Sequence, residues 1–359
     1  MKLCKNNKLD FTGQDIFVGI DLHKQNWSVC ILTKESEHKV FTMNPEPSQL
    51  INYLNRNFPN ANYISAYEAG YCGFWAHEKL SAGGINSFVV NPADVPTTGK
   101  EKINKNDGVD RRKIARSLRN GELTPIYTPE IYYQEARSLV RTRYQFSKDQ
   151  TRTMNRIKSY LSLYGIQVPK ELEKAHWSRR YIKWLQGVEF QTPNGTIGFQ
   201  YHINRLLSIR EDVLKVTRQI RMLAREKEFK ENIQLLMSIP GIGIITAMVF
   251  LSEIIDIKRF KNIDKLSSFI GISPGEHSSS DKKRVGRMTK RGNKYLRYLI
   301  IEAAWTASRR DPSLMMAFND LTMKSGYSKP KAIVKITRKF LNRMRYVLVN
   351  RKPYVEGVL

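Results

Sequence analysis

Three short apolar runs stand almost end to end near the amino terminus: IFVGIDL (16–22), NWSVCILT (26–33) and KVFTM (39–43), separated only by the polar HKQ and KESEH. Runs rich in β-branched and aromatic residues with polar breaks predict strands. Strands joined by so few residues pair antiparallel, because a parallel return needs a crossover of a dozen residues or more. An antiparallel meander over 16–43 is therefore expected. Helices and strands then alternate. Leu50, Ile51, Leu54 and Phe58 share a helical face within 48–58. YISAYEA (63–69) is a strand, GFWAHEKLSAG (73–83) a helix closing on Gly83 and Gly84, and INSFVVNP (85–92) a strand stopped by Pro92. A further helix runs from about 106 to 120, ahead of Gly121.

Three strands, helix, strand, helix, strand, helix is the element order of the ribonuclease H fold, so the reading is an α/β domain over 1–128. The region 129–231 is expected to be helical. Leu206, Ile209, Val213, Val216, Ile220 and Leu223 recur at alternating spacings of three and four, a coiled-coil seam. A weaker version runs through Leu139, Phe146, Ile157 and Tyr164, and VEFQTPNGTIG (188–198) is a turn-rich connection. The seam fits an intramolecular helical hairpin, a dimer contact, or a hairpin on which a second protomer docks. A third, mainly helical unit is expected over 232–359. It opens with LLMSIPGIGIITAMVFLSEI (235–254), has an apolar helix near 263–270, and closes with helices over 295–310 and 330–348.

The 359 residues carry 60 Lys plus Arg against 33 Asp plus Glu, a formal net charge of +27. A charge of that size points to a polyanionic partner. Nucleic acid is the default, because each cation placed on a phosphate releases counterions. No run of about 18 apolar residues exists to span a bilayer, and MKLCKNNKLDF lacks the apolar core of a signal peptide. Cys4, Cys30 and Cys72 are far apart and odd in number. Reduced thiols in a cytoplasmic protein are expected, not a disulfide frame or a zinc site.

Four carboxylates fall at element ends. Asp21 ends the first strand, Glu68 ends the fourth, and Asp107 and Asp110 lie in the first turn of the helix after the last strand, three residues apart on one face. In a ribonuclease H sheet the first and fourth strands are neighbours and the closing helix crosses near their ends. Four acids meeting there need cations, and oxygen-only ligands favour Mg²⁺ or Mn²⁺. Two such ions can activate a nucleophile and steady the leaving oxygen of a phosphodiester. Arg111 and Arg112 beside them suit phosphate. Each acid alone is more simply a cap or a salt-bridge partner; it is the joint placement that points to a metal.

Two further stretches bear on chemistry. IPGIG (239–243) has the shape of a helix-hairpin-helix turn whose backbone N–H groups can approach a phosphate, and a ligand-free tight turn fits it equally. The most basic window, DKKRVGRMTKRGNKYLR (281–297), holds Lys282, Lys283, Arg284, Arg287, Lys290, Arg291, Lys294 and Arg297 against one acid, punctuated by Gly286 and Gly292. Immediately before it stands HSSS (277–280). A serine hydroxyl in such a field can attack a phosphodiester and conserve its energy as a phosphoserine link. On those residues alone, a serine-rich loop with His277 as a simple loop residue is the plainer reading.

In order and spacing, GIDLHK (19–24), YEAGYCGFW (67–75), KNDGVDRRKIAR (105–116), IPGIGIITA (239–247), FIGISPGEHSSS (269–280) and GRMTKRGNKYLR (286–297) resemble the DEDD transposases of insertion sequence 110 and their relatives, Piv-type DNA invertases among them. The resemblance covers nearly the whole chain. It implies a RuvC-like amino-terminal domain whose D-E-D-D set is matched by Asp21, Glu68, Asp107 and Asp110. It also implies a carboxy-terminal transposase domain with a catalytic serine before the basic motif. Counting back from GRMTKRGN gives Ser279, with Asn293 in the nucleic-acid-binding motif. Two positions depart from the family pattern: Ser280 stands where glycine is usual, which leaves Ser278 and Ser280 as rivals, and Asn106 stands where threonine is frequent. The resemblance further implies a structured non-coding guide RNA pairing with donor and target DNA, and a dimeric or tetrameric assembly in the prokaryotic cytoplasm, associated with the nucleoid. An RNA-guided, metal-assisted serine recombinase is thus expected. The alternative is a metal-dependent, structure-specific nuclease of junction-resolvase type using water. A third reading, from another class, is a non-catalytic nucleic-acid-binding protein.

Overall fold

The amino-terminal sheet is built from β1 (Asp15–Leu22), β2 (Trp27–Leu32), β3 (Glu37–Met43), β4 (Asn62–Glu68) and β5 (Asn86–Val90), with α1 (Pro47–Asn57) and α2 (Trp75–Ala82) in the connections and α3 (Asp107–Arg119) after the last strand. The computed structural model describes residues 10–96, 107–272, 274–279, 282–288 and 292–356, with the backbone alone at 107–110, 274–279 and 282–288. Cys4, Asn106, Ser280, Lys290 and Arg291 lie outside the described residues. The chain divides into two compact units, Met1–Thr128 and Pro129–Leu359.

In the first unit the strand order is β3-β2-β1-β4-β5. β1, β2 and β3 form the antiparallel meander, while β1 pairs with β4, and β4 with β5, in parallel. The period-two alternation of β1 divides its residues between two layers. Ile16, Val18 and Ile20 join Leu50 and Leu54 of α1 and Ala76 and Leu80 of α2 in one core. Phe17 lies on the opposite face, with Ala115 of α3 and Cys30 of β2, and with Ile114 and Leu118 of α3. Every residue of β2, WSVCIL, is buried, as a strand covered on both faces must be. β3 is one edge, and Glu37, His38 and Lys39 leave it exposed and charged, which discourages further strand pairing.

Among its described residues the second unit is helical apart from one two-stranded ribbon. α4 (Ile131–Leu163) and α6 (Pro193–Leu223) are 33 and 31 residues long. They run antiparallel, since Ala136 and Val140 share a core with Val216 and Ile220, while Ile157 and Leu161 share another with Phe199, Ile203 and Leu206. α5 (Arg179–Gln186) closes the far end with Tyr181, Ile182 and Leu185. The heptad seam is therefore filled within the chain: Leu206, Ile209, Val216 and Ile220 are buried, and Val213 and Leu223 are half-buried.

The near end of the hairpin merges into α7 (Lys227–Met237), α8 (Ile244–Ile254), α9 (Ile263–Ile270), α10 (Lys294–Arg310), α11 (Pro312–Asn319) and α12 (Lys329–Asn350). From Ala247 to Ile254 every residue of α8 is buried, including Glu253. Its carboxylate accepts from Arg141 at 2.8 and 2.9 Å, with the Arg137 guanidinium 3.7 Å away. A buried carboxylate needs such partners. Where a serine loop was the plain expectation, β6 (Pro274–Ser279) and β7 (Lys282–Met288) form an antiparallel ribbon. α11, between the two expected closing helices, starts at Asp311, whose side chain accepts from the Leu314 N–H ahead of Pro312. Aspartate at the cap with proline in the first turn is a helix start.

Candidate functional site

The parallel ladder of β1 and β4 pairs Asp15 with Asn62 and continues in register to Ile20 and Tyr67. One step further stand Asp21, followed in β1 only by Leu22, and Glu68, the last residue of β4, so two strands carry acids side by side at one end of the sheet. Asp21 is partly exposed, and its Oδ2 lies 3.1 Å from His23 Nε2.

α3 is brought to this edge by a glycine. A Cβ built on Gly19 would stand 2.4 Å from the Arg111 carbonyl oxygen and 2.5 Å from the Ala115 nitrogen. Only a residue without a side chain lets the helix backbone lie so close to β1. The helix runs against the strand. Leu118 and Ile114 meet Ile64 and Phe88, while Arg111 overlies Gly19. Its first turn, with Asp107 and Asp110, thus heads toward the strand ends of Asp21 and Glu68. The side chains of Asp107 and Asp110 are outside the described residues. Among the described residues, no group of three or more His, Cys, Asp or Glu that could hold a metal occurs.

The adjacent arginines Arg111 and Arg112 differ. Arg112 is committed to Glu37 at the sheet edge, with Nε 3.0 Å from Oε2 and Nη2 3.1 Å from Oε1. This pairing holds the Glu37 carboxyl below its usual range. Arg111 Nε is buried and finds no hydrogen-bond partner among the described residues. A buried orphan donor next to Asp110 fits an anionic neighbour. Burial pushes the Cys30 thiol up to about 11 and raises that of Cys72, which disfavours thiolate at neutral pH.

In the second unit, Ser279 ends β6 opposite Lys282, Ser278 pairs with Lys283, and His277 with Arg284. Arg287 lies further along β7. The roots of this excursion are pinned. Gly292 (φ +107°) packs on Gly271, where a Cβ would come within 2.7 Å of the backbone. Arg297 Nη1 donates to the Gly271 carbonyl at 3.0 Å, the Asn293 N–H donates to the Phe269 carbonyl, and the Asn293 side chain caps α10 through the Leu296 N–H. Asn293 and Arg297 thus hold the base of the ribbon, while Lys282, Lys283, Arg284 and Arg287 ride on it.

The IPGIG turn packs inward. Gly241 (φ +93°) faces α10, and a Cβ there would meet the Ala303 carbonyl at 2.7 Å and the Ala307 nitrogen at 2.9 Å. This glycine is explained by helix packing, whereas Gly243, at the start of α8, has open space around it. Gly19 and Gly241 escape a reading of local pattern, because the partner that demands each glycine is distant in sequence.

Comparison with known proteins agrees with both halves of the chain. A family model for IS110-type DEDD transposases matches residues 18–166, and one described as the transposase IS116/IS110/IS902 family matches residues 233–319. The transposase for insertion sequence element IS1111A of Coxiella burnetii is 24% identical over 343 residues, covering 95% of this chain and 89% of its own. The transposase for insertion sequence element IS1533 of Leptospira borgpetersenii is 24% identical over 295 residues, covering 81% and 84%. A putative transposase of Sinorhizobium fredii, y4qE, is 26% identical over 306 residues, covering 82% and 72%. The chain belongs to the IS110 family of DEDD transposases. Its function is that of an insertion-sequence transposase, an enzyme class that cuts and rejoins DNA. Among the described residues no helix is long and apolar enough to cross a membrane.

Proposed function

We propose that the chain is an RNA-guided DNA recombinase in which Asp21, Glu68, Asp107 and Asp110 form a divalent-metal site on a RuvC-like, ribonuclease H-type domain, with Ser279 as the nucleophile. The observation that carries the reading is the β1–β4 register, which one step past Ile20 and Tyr67 sets Asp21, next to last in β1, beside Glu68, the last of β4, while Gly19 draws α3 onto β1. The sheet order and the mixed parallel and antiparallel pairing support the fold assignment. An all-carboxylate donor set suits Mg²⁺ or Mn²⁺. Bound there, the metal would neutralise phosphate charge and ease ionisation of a hydroxyl.

Ser279 Oγ would form the new bond to phosphorus. The DNA oxygen that leaves takes up the proton the serine gives up, and the reverse attack by a DNA hydroxyl frees the serine and rejoins the strand. Lys282, Lys283, Arg284 and Arg287 on the adjoining strand, with Lys290 and Arg291, would counter the phosphate charge, and Arg111 would do so at the carboxylates. A net charge of +27 suits a protein holding a structured guide RNA together with donor and target DNA. A dimer or tetramer would let the acids of one chain serve the serine of another. The three-part division at residues 128 and 231 is kept as the functional one: carboxylate domain, helical hairpin, serine domain. A cytoplasmic, nucleoid-associated location follows from the substrate.

The test is a nicked DNA duplex that traps the covalent intermediate, with mass spectrometry of the attached peptide. Adduct on Ser279 that disappears in Ser279→Ala, and also in Asp21→Asn and Glu68→Gln, supports the reading. Adduct on Ser278 or Ser280 moves the nucleophile. Full cleavage by Ser279→Ala with no adduct refutes the serine mechanism in favour of a water-using nuclease.

A further inference from the structure

We propose that Tyr71 and Trp75 form a stacking platform for an unstacked DNA base beside the candidate carboxylate site, with Lys24 on that nucleotide's phosphate. The proposal rests on reading Asp21 and Glu68 as the catalytic edge.

Both aromatic side chains are exposed, Tyr71 by 62% and Trp75 by 42%. Isolated exposed aromatics are ordinary, but these two are fixed. The Tyr71 hydroxyl donates to the Leu22 carbonyl at 3.1 Å. The Trp75 ring lies 5.6 Å from the ring of Trp27, tilted 40°, and Trp27 is itself buried. Leu22 and Trp27 are direct cross-strand partners. The two exposed rings therefore lean on one rung of the β1–β2 ribbon, and that rung is the one following Asp21. The turn that carries Tyr71 is also held, since the Tyr67 hydroxyl donates to the Gly73 carbonyl at 3.1 Å and Gly73 takes the left-handed conformation at φ +60°.

The surroundings select the ligand. Lys24 Nζ lies 5.8 Å from the centre of the Tyr71 ring. The adjacent surface cleft, about 440 Å³, is lined by His23, Lys24, Gln25 and Asn26, a polar, cationic wall unsuited to an apolar protein segment. A rigid aromatic face with a cation beside it matches the two parts of one nucleotide, base and phosphate. Base–aromatic stacking tolerates any sequence because every base has a π-face. Platforms held in place before binding avoid the cost of ordering. Fixing a base here would hold the neighbouring phosphodiester at the strand ends of Asp21 and Glu68.

The probe is a single-stranded thymine oligodeoxynucleotide carrying one 2-aminopurine, titrated with the full chain in Mg²⁺. Wild type should quench the fluorophore. Tyr71→Ala and Trp75→Ala should at least halve that quenching and weaken binding roughly tenfold. Tyr71→Phe, which keeps the ring but loses the bond to the Leu22 carbonyl, should quench more than Tyr71→Ala while binding more weakly than wild type, and also serves as the folded reference. Lys24→Ala should leave quenching in place while lowering the salt slope of binding by about one. Equal quenching by Tyr71→Ala and wild type overturns the platform, as does equal loss in Tyr71→Ala and Tyr71→Phe, which would assign the effect to the hydroxyl tether. Asp21→Asn separates this outcome from the catalytic reading. It should abolish DNA cleavage and metal-dependent stabilisation but keep the quenching. If Asp21→Asn keeps cleavage, the catalytic reading falls, and the Tyr71→Ala comparison still decides the platform.

Discussion

Gly19→Ala should damage the enzyme far more than one methyl group would elsewhere. The new Cβ would meet the Arg111 carbonyl oxygen at 2.4 Å and the Ala115 nitrogen at 2.5 Å, both backbone atoms that no rotamer change can move. To restore an ordinary contact of 3.4 Å, α3 must retreat from β1 by about 1 Å. Overpacking of this kind costs roughly 1–3 kcal/mol, or about 4 °C of Tm for each kcal/mol in a unit of this size. On the proposed carboxylate site the chemical cost is larger. The helix that retreats carries Asp107 and Asp110, while Asp21 stays on the strand, and a misplacement of about 1 Å can cost on the order of 100-fold in rate. The assay is single-turnover DNA cleavage in Mg²⁺ beside thermal unfolding, with Gly187→Ala as control, because its nearest neighbour would lie at an easy 3.6 Å. Gly19→Ala with wild-type Tm and rate would refute the close packing of α3 on β1. A lowered Tm with an unchanged rate per folded molecule would sever the helix position from the chemistry.

Other consequences concern the second unit. Ile220→Asp places a charge where the side chain is fully buried against α4, so it should destabilise by about 4 kcal/mol or more. Calorimetry should register this as a lowered Tm, and a variant that stays folded while losing only oligomeric mass would return the seam to an interface role. Glu253→Ala leaves Arg141 and Arg137 facing an empty buried position and should cost about 3 kcal/mol, less than a fully buried pair because Arg141 is half exposed; urea unfolding with unchanged midpoint would contradict this. Asp311 is buried, which raises its pKa, but hydrogen bonds from Tyr354, the Leu314 N–H and Ser313, with the Arg343 charge, outweigh burial and hold it below the usual value. A depressed carboxyl stabilises above its unfolded pKa of about 3.9, and that stabilisation is lost as pH falls through the lower folded value. Wild type should therefore lose Tm from about pH 4 downward more steeply than Asp311→Asn, and parallel curves would disprove the assignment.

Much of the first unit could be read from local pattern. IFVGIDL, NWSVCILT and KVFTM are strands because β-branched and aromatic residues suit a pleated, covered surface, and their short breaks fix the antiparallel meander. The positions of Asp21, Glu68, Asp107 and Asp110 at element ends are likewise matters of counting along the chain. The pairing of 274–279 with 282–288 was hidden, because PGEHSS and KKRVGRM have no apolar alternation and only their pairing makes them strands. The amphipathic pattern of 206–223 defined a seam but not its occupant, since an apolar stripe is satisfied equally by α4 or by another chain. The tertiary structure chose α4. It also decided why Gly19 and Gly241 are glycines and what Tyr71 leans on. Propensity and periodicity are properties of neighbours in sequence; close approach of two backbones, and the lining of a site, belong to residues that meet only when the chain folds.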